Sequence, residues 1–284
     1  MKKLQIILFL VCTVVLSAAL LEIRYGVVSA YIEGDYTKQE KEKYLRDLHD
    51  AVLERKDTVT LLYRGDGDRM EEFVTDSIKN VFAVDDKDTS SDYDYMRYVH
   101  KATHINMSGW GGRYHVTYEF EYLESLEETK QVDQKVKKIL KKIINKNMTR
   151  YEKIKTIHDY IVDHVEYDTS TNYNSPYHAL VNGSSACQGY ANLLYKMLTE
   201  VGIPCRVVTG TAKGGLHAWN MVKLEGKWYN IDTTWDDPVG AFGQTNLRYD
   251  YFLKSDRDMK DHVKDPEFLT DSFCSEYPMA VKSY

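Results

Sequence analysis

Cys187, His217 and Asp232 are the residues of this chain whose types and spacing support chemistry: a thiol nucleophile, a base, and a carboxylate to orient the base. Ser185-Ala186-Cys187-Gln188 has the Ser-x-x-Gln form of a capping box, which predicts Ser185 at a helix N-cap and Cys187 in the first turn. The helix carries Ala191, Leu194, Leu198 and Val201 on one stripe and stops at Gly202-Ile203-Pro204. A first-turn thiol sits among unpaired N–H groups at the positive end of the helix dipole, which favours the thiolate. Those N–H groups are also placed to stabilise an oxyanion on an attacked carbonyl. On local sequence alone a small buried hydrophobe at a helix start is the better reading, so a nucleophile needs a base nearby.

Two strands are predicted downstream, Leu216 to Leu224 and Lys227 to Thr234, joined through Glu225-Gly226. A two-residue turn pairs 224 with 227, which sets His217 opposite Thr234 and Trp219 opposite Asp232. His217 and Asp232 then share a face as diagonal neighbours, roughly 7–8 Å apart at the backbone. A three-residue loop would send them to opposite faces. The pairing suits an imidazole held in one tautomer by a carboxylate while its other nitrogen faces a thiol. Asp236 and Asp237 follow Trp235 and precede Pro238, where the strand ends, and are expected at a turn or rim. His158 and His164 lie six apart on one helix, which is not a metal-binding spacing, and His178 is expected in a loop exposed to water. The sequence has no Cys-x-x-Cys, His-x-x-x-His or Gly-rich phosphate loop, so no metal and no cofactor are expected.

Four blocks in order carry a family resemblance: Ala186-Cys187-Gln188-Gly189-Tyr190-Ala191, Gly202 to Gly210, His217-Ala218-Trp219-Asn220, and Gly226 to Asp232. Over about residues 150–253 the chain resembles the transglutaminase-like core of bacterial surface proteins. The resemblance implies a papain-like arrangement in which a cysteine on a helix faces a histidine and an aspartate on an antiparallel sheet. By position it makes Cys187 the nucleophile, His217 the base and Asp232 the residue orienting His217. Animal transglutaminases carry a Trp directly after the cysteine, whereas here Gln188-Gly189 follows, and no calcium loop is evident. That departure favours hydrolysis, a peptidase or amidase, over protein cross-linking. A non-catalytic surface-binding module and a cross-linking transglutaminase stand as alternatives.

The elements around the site give an α+β chain. Helices are expected over 37–56, 68–82 and 126–147, and a capping box, Thr149-Arg150-Tyr151-Glu152, opens another. Strands are expected at 58–63, from Tyr93 to Ile105, and from Arg113 to Tyr122, where alternation is strict. The division is an export segment at 1–30, a small α+β unit at 31–125 whose role the sequence does not show, and the transglutaminase-like domain at 126–284. Lys2 and Lys3 precede an apolar run from Leu4 to Leu21, with small residues at Val28-Ser29-Ala30, which reads as a signal peptide or N-terminal membrane anchor. The expected location is therefore extracellular or the cell envelope, with membrane contact through the N-terminal segment if it is uncleaved.

The 284 residues carry a net charge of −6, which argues against nucleic acid as a partner. A protein or peptide substrate, such as a cell-wall peptide, is expected instead. Four cysteines are too few for a disulfide scaffold. Cys205 begins an apolar strand and is expected as a buried free thiol in preference to a disulfide with Cys274. Oligomeric state is not legible.

Overall fold

The computed structural model describes residues 37–82, 94–237 and 248–284. The predicted export segment lies outside the described residues, and among these no helix is long and apolar enough to cross a membrane. The chain divides into two compact units.

Among the described residues, the first unit comprises 37–51 together with 56–81 and 103–119. Helix α1 (Lys38–Leu53) and strand β1 (Thr58–Arg64) are followed by α2 (Met70–Val81), and strands β2 (His100–Trp110) and β3 (Arg113–Tyr122) complete a sheet of order β1-β3-β2. The expected alternation of β3 is met: Val116 and Tyr118 are buried while His115 and Glu119 are exposed. Its aromatic residues explain the burial. Tyr44 and Phe73 meet edge to face at 5.0 Å, and the Tyr44 and Tyr118 hydroxyls share a 2.8 Å hydrogen bond.

The second unit takes 52–55, 82–102 and 120–284. The predicted strand from Tyr93 is instead helical at its start: α3 (Asp94–Val99) precedes β2. Asp94, Tyr95, Met96, Tyr98 and Val99 are all buried, with only Arg97 partly exposed, so the helix has no broad polar face to mark its period in sequence. Helices α4 (Leu126–Ile143) and α5 (Arg150–His164) follow, the latter opened by the expected Thr149–Glu152 capping box. Short strands β4 (Glu166–Tyr167) and β5 (Ser184–Ser185) pair in parallel just before α6 (Cys187–Glu200). The main sheet has the order β8-β7-β6-β9, built from β6 (Cys205–Ala212), β7 (Gly215–Leu224), β8 (Lys227–Ile231) and β9 (His262–Lys264), all antiparallel. A short α7 (Asp271–Glu276) follows β9.

This sheet has apolar residues packed on both faces. On one, Val207, Ala218 and Val222 join Ala191, Leu194 and Leu198 of α6 in the main core. On the other, Val208, Trp219 and Met221 pack with Trp228, Met259 and Phe268. Asn220 ties sheet to helix by donating to the Ala191 carbonyl at 2.9 Å. The architecture is α+β, a cysteine-bearing helix laid on an antiparallel sheet.

Candidate active site

Helix α6 begins at Cys187 as expected, but its cap differs from the predicted one. Ala186 is the N-cap residue and contributes no side-chain bond. Ser185 is committed to β5, where it pairs with Tyr167, and its hydroxyl donates to the Tyr173 carbonyl. The Gln188 side-chain amide reaches away to the Tyr98 carbonyl. The first-turn donor is satisfied from a distance: the Gln188 N–H donates to Asn174 Oδ1 at 3.1 Å. The Gly189 and Tyr190 N–H groups both point at the Ala186 carbonyl. That leaves the Cys187 N–H as the open first-turn donor beside the thiol, a narrower oxyanion site than the whole turn that the sequence suggests. Gly189 has no room to be anything else, since a Cβ there would lie 2.0 Å from Ser185 Oγ and 2.7 Å from the Ser175 carbonyl oxygen.

The β7–β8 hairpin turns through Glu225-Gly226 in the predicted register, with Leu224 opposite Lys227 and Asn220 opposite Ile231. Glu225 and Gly226 both adopt positive φ, 49° and 79°, the conformation a two-residue turn matched to strand twist requires. The register carries His217 and Asp232 to one face, where His217 Nε2 lies 2.7 Å from Asp232 Oδ2. The ring's other nitrogen is not taken by Asp232, and Cys187 is among the groups that raise the His217 imidazole. His217 is only 8 % exposed, and its ring lies against Trp219 and Trp235, with centroids 5.9 and 5.5 Å away.

The electrostatics follow from this packing. Burial pulls the His217 imidazole down, but the Asp232 charge and hydrogen bond, joined by Cys187, push it up to about 10. Burial works against the Asp232 charge as well, yet the bonds from His217 and His262 hold its carboxyl down at about 2. At neutral pH the pair is therefore an imidazolium on a carboxylate. Asp232 is saturated as an acceptor. Its Oδ1 takes the Thr234 and Trp235 N–H groups at 2.9 and 3.2 Å, and its Oδ2 takes both imidazoles.

His262 is the residue that sequence reasoning missed. Its Nε2 lies 2.9 Å from Asp232 Oδ2, thirty positions away along the chain on a three-residue strand. No local pattern marks it, because the contact arises from pairing of β9 with β6, with His262 opposite Ala212. Asp236 and Asp237 lie in the turn after Asp232, as expected, but neither stands free there. Asp236 is fully buried, and its Oδ2 bonds His158 Nε2 at 3.0 Å while its Oδ1 accepts the Tyr251 N–H. Asp237 accepts the Tyr190 hydroxyl at 2.7 Å. These aspartates pin the segment after Asp232 to α5 and α6; neither sits at a rim. His178 bonds Ser175 Oγ and stacks on Tyr173 rather than standing free in a loop. Cys205 is a buried free thiol pushed up by burial, and Cys274 is exposed and free, so the two are not bridged. Among the described residues, His217, Asp232 and His262 form the one trio with ligand-type atoms within 4.8 Å of one another. Their 2.7 and 2.9 Å separations are those of the hydrogen bonds already described.

Parts of the chain are similar to known proteins. Residues 137–233 match the family model of the transglutaminase-like superfamily. The chain is 33 % identical over 105 residues to the kyphoscoliosis peptidase of Homo sapiens, covering 31 % of this chain and 16 % of that protein. It is 28 % identical over 134 residues to the Mus musculus kyphoscoliosis peptidase, covering 41 % and 20 %. The chain thus spans a fifth or less of the length of these relatives. A solved structure of a TGase superposes with a TM-score of 0.37 at 14 % identity, over 76 % of this chain and 62 % of the other.

Proposed function

Because residues 137–233 match the family model of the transglutaminase-like superfamily, we propose that the chain is a thiol acyl-transfer enzyme in which Cys187 attacks an amide carbonyl of a protein or peptide. The observation that carries this reading is the buried His217 bonded to the Asp232 carboxylate at 2.7 Å, with Cys187 at a helix start among the groups that raise its imidazole. A positive imidazole beside a thiol at a helix N-terminus stabilises the thiolate.

The geometry gives each group one task. The Cys187 thiolate adds to the carbonyl carbon, and the oxygen, now negative, is met by the Cys187 N–H. The His217 imidazolium passes its proton to the departing amine as the C–N bond breaks, leaving a thioester on Cys187 and a neutral imidazole. Neutral His217 then takes a proton from a water that attacks the thioester, and cleavage of the C–S bond returns the thiolate and releases the acid. Asp232 holds the His217 Nε2–H throughout, so the other ring nitrogen always faces sulfur.

Water as the second acceptor fits the residues after the nucleophile, Gln188-Gly189, where the animal cross-linking enzymes place a Trp. The peptidase names of the curated relatives support the same direction. With Lys2, Lys3 and the apolar run Leu4 to Leu21 in front of the domain, the enzyme is placed outside the cytoplasm, secreted or anchored at the cell envelope. Incubation with peptide libraries in the presence and absence of a primary amine tests the assignment. Cleaved peptides with no amine incorporated are expected; incorporation at glutamine without cleavage would reassign the enzyme to cross-linking, and neither product would overturn an acyl-transfer role.

A further inference from the structure

The Asp232 carboxylate serves two imidazoles, and the second has no task in the mechanism above. His262 is brought there by close approach of β9 to β6: Gly210 stands opposite Lys264, and a Cβ at Gly210 would lie 2.0 Å from the Val263 carbonyl oxygen. The His262 side chain is 1 % exposed and sits among rings, with Trp219, Trp235 and Tyr251 centroids at 5.0, 4.9 and 5.1 Å. Both its nitrogens face carboxylate oxygens. Nε2 lies 2.9 Å from Asp232 Oδ2, and Nδ1 lies 2.9 Å from Asp261 Oδ1, whose Oδ2 accepts the Tyr251 hydroxyl at 2.6 Å. An ionised carboxylate only accepts hydrogen bonds, so two such contacts require a proton on each nitrogen. Both acids are ionised. Burial opposes the Asp261 charge, but the Tyr251 and His262 bonds hold its carboxyl below the usual range, and Asp232 is held lower still.

We infer that His262 donates from both ring nitrogens, bridging Asp232 and Asp261, and is a positioning residue that tunes the Cys187–His217 pair through the carboxylate it shares with His217. This rests on the acyl-transfer reading above. The groups facing it are His217 from β7, Asp232 after β8, Tyr251 from the 248–254 segment, Lys213 stacked over Trp235 from the β6–β7 turn, and Asp261 and Lys264 beside it. Charges then alternate along the line from Cys187 through His217, Asp232 and His262 to Asp261. The His262 and His217 ring centroids are 5.4 Å apart. A cation at that distance eases proton loss from His217, the step that frees the leaving amine, and its field acts in the same sense on the Cys187 thiolate beyond it. Without it, Asp232 would bind the His217 proton more tightly.

His262→Gln removes the charge while an amide N–H remains to donate to Asp232. Alkylation of Cys187 by iodoacetamide is followed from pH 3 to 11 in wild type and variant. Both the lower limb, where Cys187 takes a proton, and the upper limb, where His217 loses one, are expected to move to higher pH, by about half a unit or more. A slower rate with neither limb moved would leave His262 as packing alone and overturn the inference. Nitrogen-15 NMR of the histidine rings at pH 7 reads the same claim in unmodified protein: two protonated nitrogens on His262 support it, and one overturns it. This readout distinguishes the two failures. A wild-type profile without a thiolate limb sinks the acyl-transfer reading, whereas the ring spectrum still decides the state of His262.

Discussion

Asp232→Asn is expected to lower kcat/KM for peptide hydrolysis by about 10⁴-fold, the scale seen when a triad carboxylate is replaced by its amide. The reason lies in the four donors around that side chain. The Thr234 and Trp235 N–H groups meet Oδ1, and two imidazole nitrogens meet Oδ2. An asparagine has one acceptor and one donor end, so either orientation sets its NH₂ against donors. The backbone N–H groups cannot move, which leaves the amide carbonyl to them and turns the NH₂ toward His217 and His262. His217 must then present a lone pair at Nε2 and carry its proton on the nitrogen facing sulfur, neutral and unable to serve as base. Steady-state kinetics measures the loss; a folded variant with less than tenfold loss would show that Asp232 does not control the tautomer of His217.

A second large effect is expected far from the chemistry. Asp94 is fully buried at the start of α3, where its carboxylate receives Arg206 Nε at 2.7 Å, Arg206 Nη2 at 3.1 Å and the Val207 N–H at 2.8 Å. Arg206 lies on β6 and is 9 % exposed, with Tyr277 supplying its other polar contact. Asp94→Ala leaves a guanidinium and a strand N–H buried without their acceptor. Breaking a buried pair from one side costs about 3–5 kcal/mol. For a chain of this size the melting temperature should fall by about 10 °C. Differential scanning calorimetry tests this, and a shift below about 2 °C would mean that Arg206 finds another partner. Because β6 also carries the β9 pairing that delivers His262, the loss should loosen the sheet behind the site.

These two predictions draw on parts of the molecule that were unequally legible in sequence. The β7–β8 hairpin could be read, because a two-residue turn fixes register and register fixes which side chains share a face. The register alone sets His217 beside Asp232. Cys187 at a helix start was legible for the same local reason, although its cap was not: Ser185 is drawn into β5, and Asn174 supplies the bond that a capping box would have made. Elements whose character comes from distant contacts were not legible. Segment 94–99 is buried except at Arg97, so its helical period left no broad polar face to see. His262 and the Asp236–His158 pair join residues thirty and seventy-eight positions apart, and no spacing rule reaches that far. Asp236 looked like a turn residue because Pro238 follows it, yet it is the buried anchor of that turn.

The central claim is that His217 keeps Cys187 as a thiolate. The direct measurement is the pH dependence of iodoacetamide labelling at Cys187, located by mass spectrometry, in wild type and in His217→Ala. Cys205 is buried, and Cys274 reports an exposed thiol in the same sample. The account predicts that at about pH 6 wild-type Cys187 is labelled much faster than Cys274 in the same sample, and that His217→Ala removes this advantage. Labelling of Cys187 no faster than Cys274 in wild type, or unchanged by His217→Ala, would contradict it.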